Sequence, residues 1–166
     1  MDTIYQDPIL KKYADLVKQN TSVFKRIYFG DPIRIGQSEL PALILAKIDT
    51  RVGTFDNTQD KHEIRISLTV VTSVNDTFND DRTMVAGVNS LYNLIEGRDP
   101  STYALLPQSL LGIIRHNVEL DSANNLRTDL NSMSRVDYGM TMGKRKEGAW
   151  SIEGTLELTS HFIQNR

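Results

Sequence analysis

Along the first twenty residues the apolar positions recur at a helical spacing. Ile9, Leu10, Tyr13, Leu16 and Val17 fall at i, i+1, i+4, i+7 and i+8, while Lys11, Lys12, Asp15 and Lys18 take the other side. Such a stripe predicts a short surface helix with one face buried. Asp7-Pro8 supplies its start, because an aspartate accepts from the free N–H groups of a first turn and proline fits the first helical position. After Asn20 the period changes. VFKRIYF (23–29) reads as a strand and Gly30-Asp31-Pro32 as a turn. ALILAKI (42–48), led in by Leu40-Pro41, is almost continuously apolar, which predicts a strand covered on both faces or seated at an assembly contact.

Residues 50–61, TRVGTFDNTQDK, show no period and carry several turn formers, so they predict a long loop. The next run, HEIRISLTVVTSV (62–74), alternates. Ile64, Ile66, Leu68 and Val70 share one face and Glu63, Arg65, Ser67 and Thr69 the other, as in a half-buried strand. The adjacent Val70-Val71 predict a bulge or a change of covering. Met84, Val85, Val88, Leu91, Tyr92 and Ile95 then return to the helical period. Asn79, Asp80 and Asp81 suit the N-terminus of that helix, and Gly97 with Asp99-Pro100 stops it.

The last third is less regular at first. Pro107 predicts the start of a short helix ending at Gly112, IIRHNVEL (113–120) reads as a strand, and 122–129 as a polar loop. Val136, Tyr138, Met140 and Met142 alternate, as do Trp150, Ile152, Leu156, Leu158 and Phe162, with Gly154 on the same side. Two such runs around the glycine-bounded tip GKRKEG (143–148) predict a β-hairpin. The whole order predicts a single α+β domain over 1–166: a mainly antiparallel β-sheet with two principal helices packed on it, closing with a C-terminal β-hairpin. No internal repeat or low-complexity segment interrupts it.

Composition narrows the functional classes. A chain of 166 residues can bury one substantial core. The net charge of -2 and pI of about 5.9 give no global basic field of the kind that marks a nucleic-acid partner. No apolar run approaches the roughly 20 residues needed to span a membrane, and MDTIYQDPILKK lacks the layout of a signal peptide. The absence of cysteine removes disulfides, thiolate metal sites and a cysteine nucleophile. The expectation is an intracellular protein with no cofactor and no membrane partner.

Catalytic constellations are thin. His62, His116 and His161 are scattered and belong to no metal-binding or catalytic spacing. His116, if its strand alternates, sits with Ile114, Val118 and Leu120 as a partly buried imidazole, and His62 and Glu63 point to opposite faces. Asp80-Asp81 reads as helix N-terminal charge, and Glu153 with Glu157 lies on the outward face of the last strand. The sequence GDPIRIG lacks the context and the lysine of a phosphate loop, and no GxSxG is present. No catalytic, cofactor-binding or metal-ligating residue is assigned, and an enzyme is not expected.

Two contact chemistries remain. Lys144, Arg145 and Lys146 form the only basic cluster; without interleaved aromatics, and with Glu147 following, they suit weak, salt-sensitive phosphate contact or simply a solvated turn. The outward strand faces mix Ser67 and Thr69 on one strand with Ser151, Glu153, Thr155, Glu157 and Thr159 on another, a surface suited to a polar partner. Together with the reach of the 50–61 segment, the tip and the 122–134 segment, this makes Lys144, Arg145, Lys146, Arg51, Phe55 and Asp56 the candidate interface residues.

The order of elements resembles a specific family. An N-terminal amphipathic helix precedes VFKRIYFGDPIRIGQSELPALILAKI (23–48). The strand HEIRISLTVVTSV, the helix ending LYNLIEGRDP, the segment IIRHNVEL and a closing pair with EGAWSIEGTLELT follow. Over nearly the whole chain this resembles the tail terminator (tail-completion, neck) proteins of long-tailed bacteriophages. The resemblance implies a small α+β subunit that forms a homo-oligomeric ring, usually a hexamer. Such a ring caps the last disc of the tail tube, ends tube polymerisation and offers a docking face to the head connector. It implies tail tube protein and a connector or neck protein as partners, DNA passing through the lumen with at most weak contact, and a place in the tail or neck of the virion after assembly in the bacterial cytoplasm. It carries no catalytic residues. Two alternatives stand beside it: a head-completion or neck connector protein, and a small nucleic-acid-binding domain using the basic tip.

Overall fold

A computed structural model describes residues 5–74, 81–139 and 143–166, the side chains of 81–86 excepted. The expected N-terminal helix is present as α1 (Pro8–Asn20), and Asp7 accepts from the N–H groups of Ile9 and Leu10 at 3.0 and 3.1 Å. Leu10, Tyr13, Ala14 and Val17 form its buried face. Strand β1 is shorter than expected, Arg26–Phe29, and β2 longer, Ala42–Thr54. Next come β3 (Gln59–Ser73), α2 (Asp81–Glu96), α3 (Leu110–His116), β4 (Glu119–Asp121), β5 (Leu126–Thr128), β6 (Arg135–Tyr138) and β7 (Ser151–Asn165).

Among the described residues the fold is α+β: seven strands form one mixed, mostly antiparallel sheet, with the helices on it. The order is β1-β2-β3-β7-β5-β4, with β1 parallel to β2 and β6 pairing a further stretch of β7. The long strands β3 and β7 pair from Gln59↔Asn165 to Ser73↔Ser151, and they form the spine. The core lies between one sheet face and the helices, where Leu43, Leu45, Ile66, Leu68, Ile152 and Leu156 meet Tyr13, Leu91, Ile95, Leu110 and Ile114. A smaller cluster on the opposite face joins Ala42, Ile44 and Val71 to Ile35 and Leu40 from the connection before β2. This explains the unbroken apolar run at 42–45, since that strand segment is covered on both sides. It also decides the Val70-Val71 alternatives: the pair marks a change of covering, with Val70 in the main cluster and Val71 in the second.

Four expectations are corrected. Residues 50–61 are no loop, because β2 continues to Thr54, residues 55–58 turn, and β3 resumes at Gln59. Their missing periodicity follows from burial: none of residues 46–54 or 59–63 is buried, so neither face demands apolar side chains. Residues 113–116 are helical, and the strand expected over 113–120 shrinks to β4. The short helix begins at Leu110, capped by Ser109 accepting from Gly112 N at 3.1 Å, and it runs through Gly112 to His116. Gly112 is therefore no stop signal; a Cβ there would sit 2.0 Å from the Leu106 carbonyl oxygen, so glycine serves a close backbone approach. The 122–129 segment, expected as a loop, holds a 3-10 turn at Ser122–Asn124 and strand β5.

The closing hairpin is present, with Arg135↔Glu157 through Tyr138↔Gly154 in register and a bridge at Gly143↔Ser151. Ile152, Gly154, Leu156 and Leu158 of β7 are buried together, as their period predicts. Met140, Met142, Asn79 and Asp80, and the side chains of Asp81, Met84 and Val85, lie outside the described residues.

Candidate assembly surface

Beyond the helical layer β2, β3 and β7 continue as a three-stranded arm. None of residues 46–54, 59–63 or 161–165 is buried. A register shift between Lys47 and Asp49 leaves Ile48 as an extra residue in β2, and this bulge sets which face each arm residue takes. Past it, Asp49 and Arg51 face the same side as their partners Arg65 and Glu63, while Val52 pairs with His62 on the helical side. There His62 stacks on Phe162 with ring centroids 4.4 Å apart and planes within 9°.

The arm ends in an ordered turn. Phe55 N and Asp56 N both donate to Gln59 O, and Asp56 Oδ1 accepts from Thr58 N at 2.7 Å and Thr58 Oγ1 at 3.0 Å. Those Thr58 donors, backbone first, hold the Asp56 carboxyl below its ordinary pKa. Arg166 closes the turn from the other strand, donating to Asp60 at 2.7 Å and to Thr54 Oγ1 at 2.9 Å. Two apolar side chains stay outside: Val52 is 58% exposed and Phe55 56%.

The outward face of the sheet is tied by ions across three strands. Arg65 of β3 donates to Asp49 of β2 at 2.8 Å and to Glu157 of β7 at 3.3 Å, and Thr69 and Thr155 share a hydroxyl bond of 2.9 Å. The expected polar face is thus present and largely self-satisfied.

At the other end of the same strands lies the GKRKEG turn, and it departs from a simple solvated tip. Arg145 reaches back to Asp31 at 2.5 Å, to the Pro32 carbonyl at 3.0 Å and to Glu153 at 2.8 Å. Burial opposes its charge, but Glu153 and Asp31 outweigh that and raise its pKa above the ordinary arginine value. Lys144 and Lys146 remain exposed, Lys144 with its ammonium 5.3 Å from the Trp150 ring centroid. Lys146 adopts φ +46°, an uncommon conformation for a residue with a side chain. Gly148 must be small, since a Cβ there would stand 2.5 Å from the Ile35 carbonyl oxygen.

The structure therefore brings Arg51, Phe55 and Asp56 together on the arm tip and places Lys144, Arg145 and Lys146 at the opposite end of β3 and β7. It does not unite the two groups within one chain. Arg145, expected on a solvated tip, is instead held by acidic partners that include Asp31, 114 positions away. The histidines do not assemble: His116, expected on a strand, ends α3 with its Nδ1 2.7 Å from Gly112 O. Among the described residues no group of three or more metal-ligating side chains stands together, and no helix is long and apolar enough to cross a membrane. The chain matches no protein-family model and no curated protein.

Proposed function

We propose that the chain is a ring-forming tail terminator of a long-tailed bacteriophage, acting by contact and not by catalysis. In this reading copies of the subunit, six by the family resemblance, cap the tail tube, end its polymerisation and present a docking face to the head connector. The observation that carries the proposal is the bare arm. Strands β2, β3 and β7 run on past the core and end in an ordered turn that exposes Phe55 and Val52, an arrangement suited to reaching a neighbouring molecule. The order of elements over the whole chain supports the same reading. The nucleic-acid alternative loses support because Arg145 is committed to Asp31 and Glu153, which leaves Lys144, its ammonium near the Trp150 ring, and Lys146 as the exposed charges of the cluster.

Two measurements test the proposal. Native mass or sedimentation of the full chain, alone and with tail tube protein, should give a closed ring; a monomer at all concentrations that ignores tube protein overturns it. In particles lacking the protein, overlong tails are expected. Normal-length tails detached from full heads would transfer the chain to a neck layer.

A further inference from the structure

The six candidate interface residues fall into two groups at opposite ends of one ribbon. Strand β3 spans 15 residues, from Gln59 next to the arm turn to Ser73, the cross-strand partner of Ser151 beside Trp150. At about 3.3 Å per residue the two ends are on the order of 45 Å apart. They cannot meet within one copy, whereas two copies set head to tail bring them together. Resting on the ring reading above, we infer that the arm turn of one copy docks at the 143–150 end of the next. Phe55 enters the cavity beside Trp150, Asp56 faces Lys146, and Arg51 faces Glu147.

Shape and charge both favour this occupant. The receiving end holds a cavity of about 500 Å³ lined by Arg34, Gln37, Glu147, Ala149 and Trp150 among others. It is an open, mixed pocket in which Val74, Ala149 and Trp150 give an apolar patch for one aromatic anchor and Arg34, Gln37 and Glu147 give a polar, charged rim. The arm turn supplies that anchor in Phe55, 56% exposed on a turn already fixed by its own hydrogen bonds, so little ordering entropy is lost on docking. Each end also carries both signs: Arg51 and Asp56 on the donor, and Glu147 with Lys144 and Lys146 on the acceptor. Rim charges of this kind set register and exclude the reversed pairing more than they add affinity. Lys146 holds its position at φ +46°, a conformation glycine would adopt without strain, and such outliers persist where a side chain must be presented in one direction. Because donor and acceptor are different surfaces, the contact is heterologous, and repetition about an axis closes a ring.

Charge reversal tests the pairing on the full chain. Asp56→Lys and Lys146→Glu should each weaken self-association at least tenfold in sedimentation, with the circular dichroism melt of Lys146→Glu unchanged. The double variant should assemble again. A 1:1 mixture of the two single variants should also assemble, because alternating copies match every junction. Since Asp56 helps fix its turn, Phe55→Ala is the independent probe: the turn's backbone bonds remain, and assembly should still be lost. If the wild type forms rings but Phe55→Ala and both reversals leave them intact, the docking is wrong and the ring reading survives. If the reversals dissociate the ring but neither mixture nor double variant restores it, this pairing is also overturned. A wild type that stays monomeric with or without tube protein overturns both.

Discussion

Arg145 donates to one oxygen of Glu153 from two nitrogens, at 2.8 Å from Nη2 and 3.1 Å from Nε. Its remaining nitrogen bonds Asp31 and the Pro32 carbonyl, so one side chain fastens the 143–148 turn to the turn after β1. The Arg145 side chain is only 20% exposed, so its bonds to Glu153 and Pro32 are partly shielded from water, while Asp31, 75% exposed, keeps the third open to solvent. Arg145→Ala should cost about 1.5–3 kcal/mol, the usual loss for hydrogen bonds to charged groups. Arg145→Lys should recover only part, because an ammonium cannot fork to three acceptors in one plane. Urea denaturation of the two variants checks the order, and a lysine variant as stable as wild type would show that the fork adds nothing.

Gly112 predicts a second loss, from backbone crowding. A Cβ there would sit 2.0 Å from Leu106 O and 2.8 Å from Ser109 Oγ, and neither the carbonyl nor the helix-capping hydroxyl can withdraw without breaking the start of α3. Gly112→Ala, which in an ordinary helix would stabilise by about 1 kcal/mol, should instead destabilise by roughly 2–4 kcal/mol. Thermal melting decides the sign.

That reversal shows where the sequence could and could not be read. Helix α1 was legible because everything that makes it is local: Asp7 caps two N–H groups, and Leu10, Tyr13 and Val17 lie within three turns. Strand β7 was legible for the same reason, its buried positions alternating from Ile152 to Leu158. Helix α3 was not, because Ile114, His116, Val118 and Leu120 mimic a strand period while Leu110, Ile113 and Ile114 already satisfy a helical one. The packing of Gly112 on Leu106 chose between them. The arm failed differently. With neither face buried, its strands carry no hydrophobic period, and they are strands because Gln59 pairs with Asn165, 106 positions away. For the candidate surface, Phe55 and Asp56 were visible as residues at a turn, but the commitment of Arg145 to Asp31 was not visible in any local pattern.

Asp7 predicts an acid-sensitive anchor. Its carboxylate caps α1 and pairs with Lys47 of β2, joining the first helix to the sheet. Burial alone would raise its pKa, but Lys47 and the N–H groups of Leu10 and Ile9 outweigh that and hold it below the ordinary value. A depressed folded pKa means the stabilisation is complete above the unfolded value of 3.8 and is lost as pH falls through the folded value. Asp7→Ala should cost about 1–2 kcal/mol at pH 7 and should blunt the stability loss below pH 4. A parallel acid decline in wild type and variant would remove Asp7 as its source.

His161 predicts a second acid-side loss, at milder pH than that of Asp7. Its Nδ1 is buried with no hydrogen-bond partner among the described residues, on the outward face between Glu63 of β3 and Arg127 of β5. Burial lowers its pKa first. Asp129 pulls it back up, Lys61 and Arg127 push it down again, Glu63 raises it slightly, and the balance lies below the ordinary 6.5. The unfolded chain then binds this proton more readily than the folded one, so stability is full above pH 6.5 and falls as pH drops through the folded value. His161→Gln keeps a polar side chain of similar reach but cannot titrate. The stability difference between wild type and His161→Gln should therefore shift against the wild type between pH 8 and pH 5, and then level off. Proton NMR of the imidazole gives the direct check: a His161 pKa above 6.5 would mean that Asp129 and Glu63 outweigh burial, and the predicted slope would reverse.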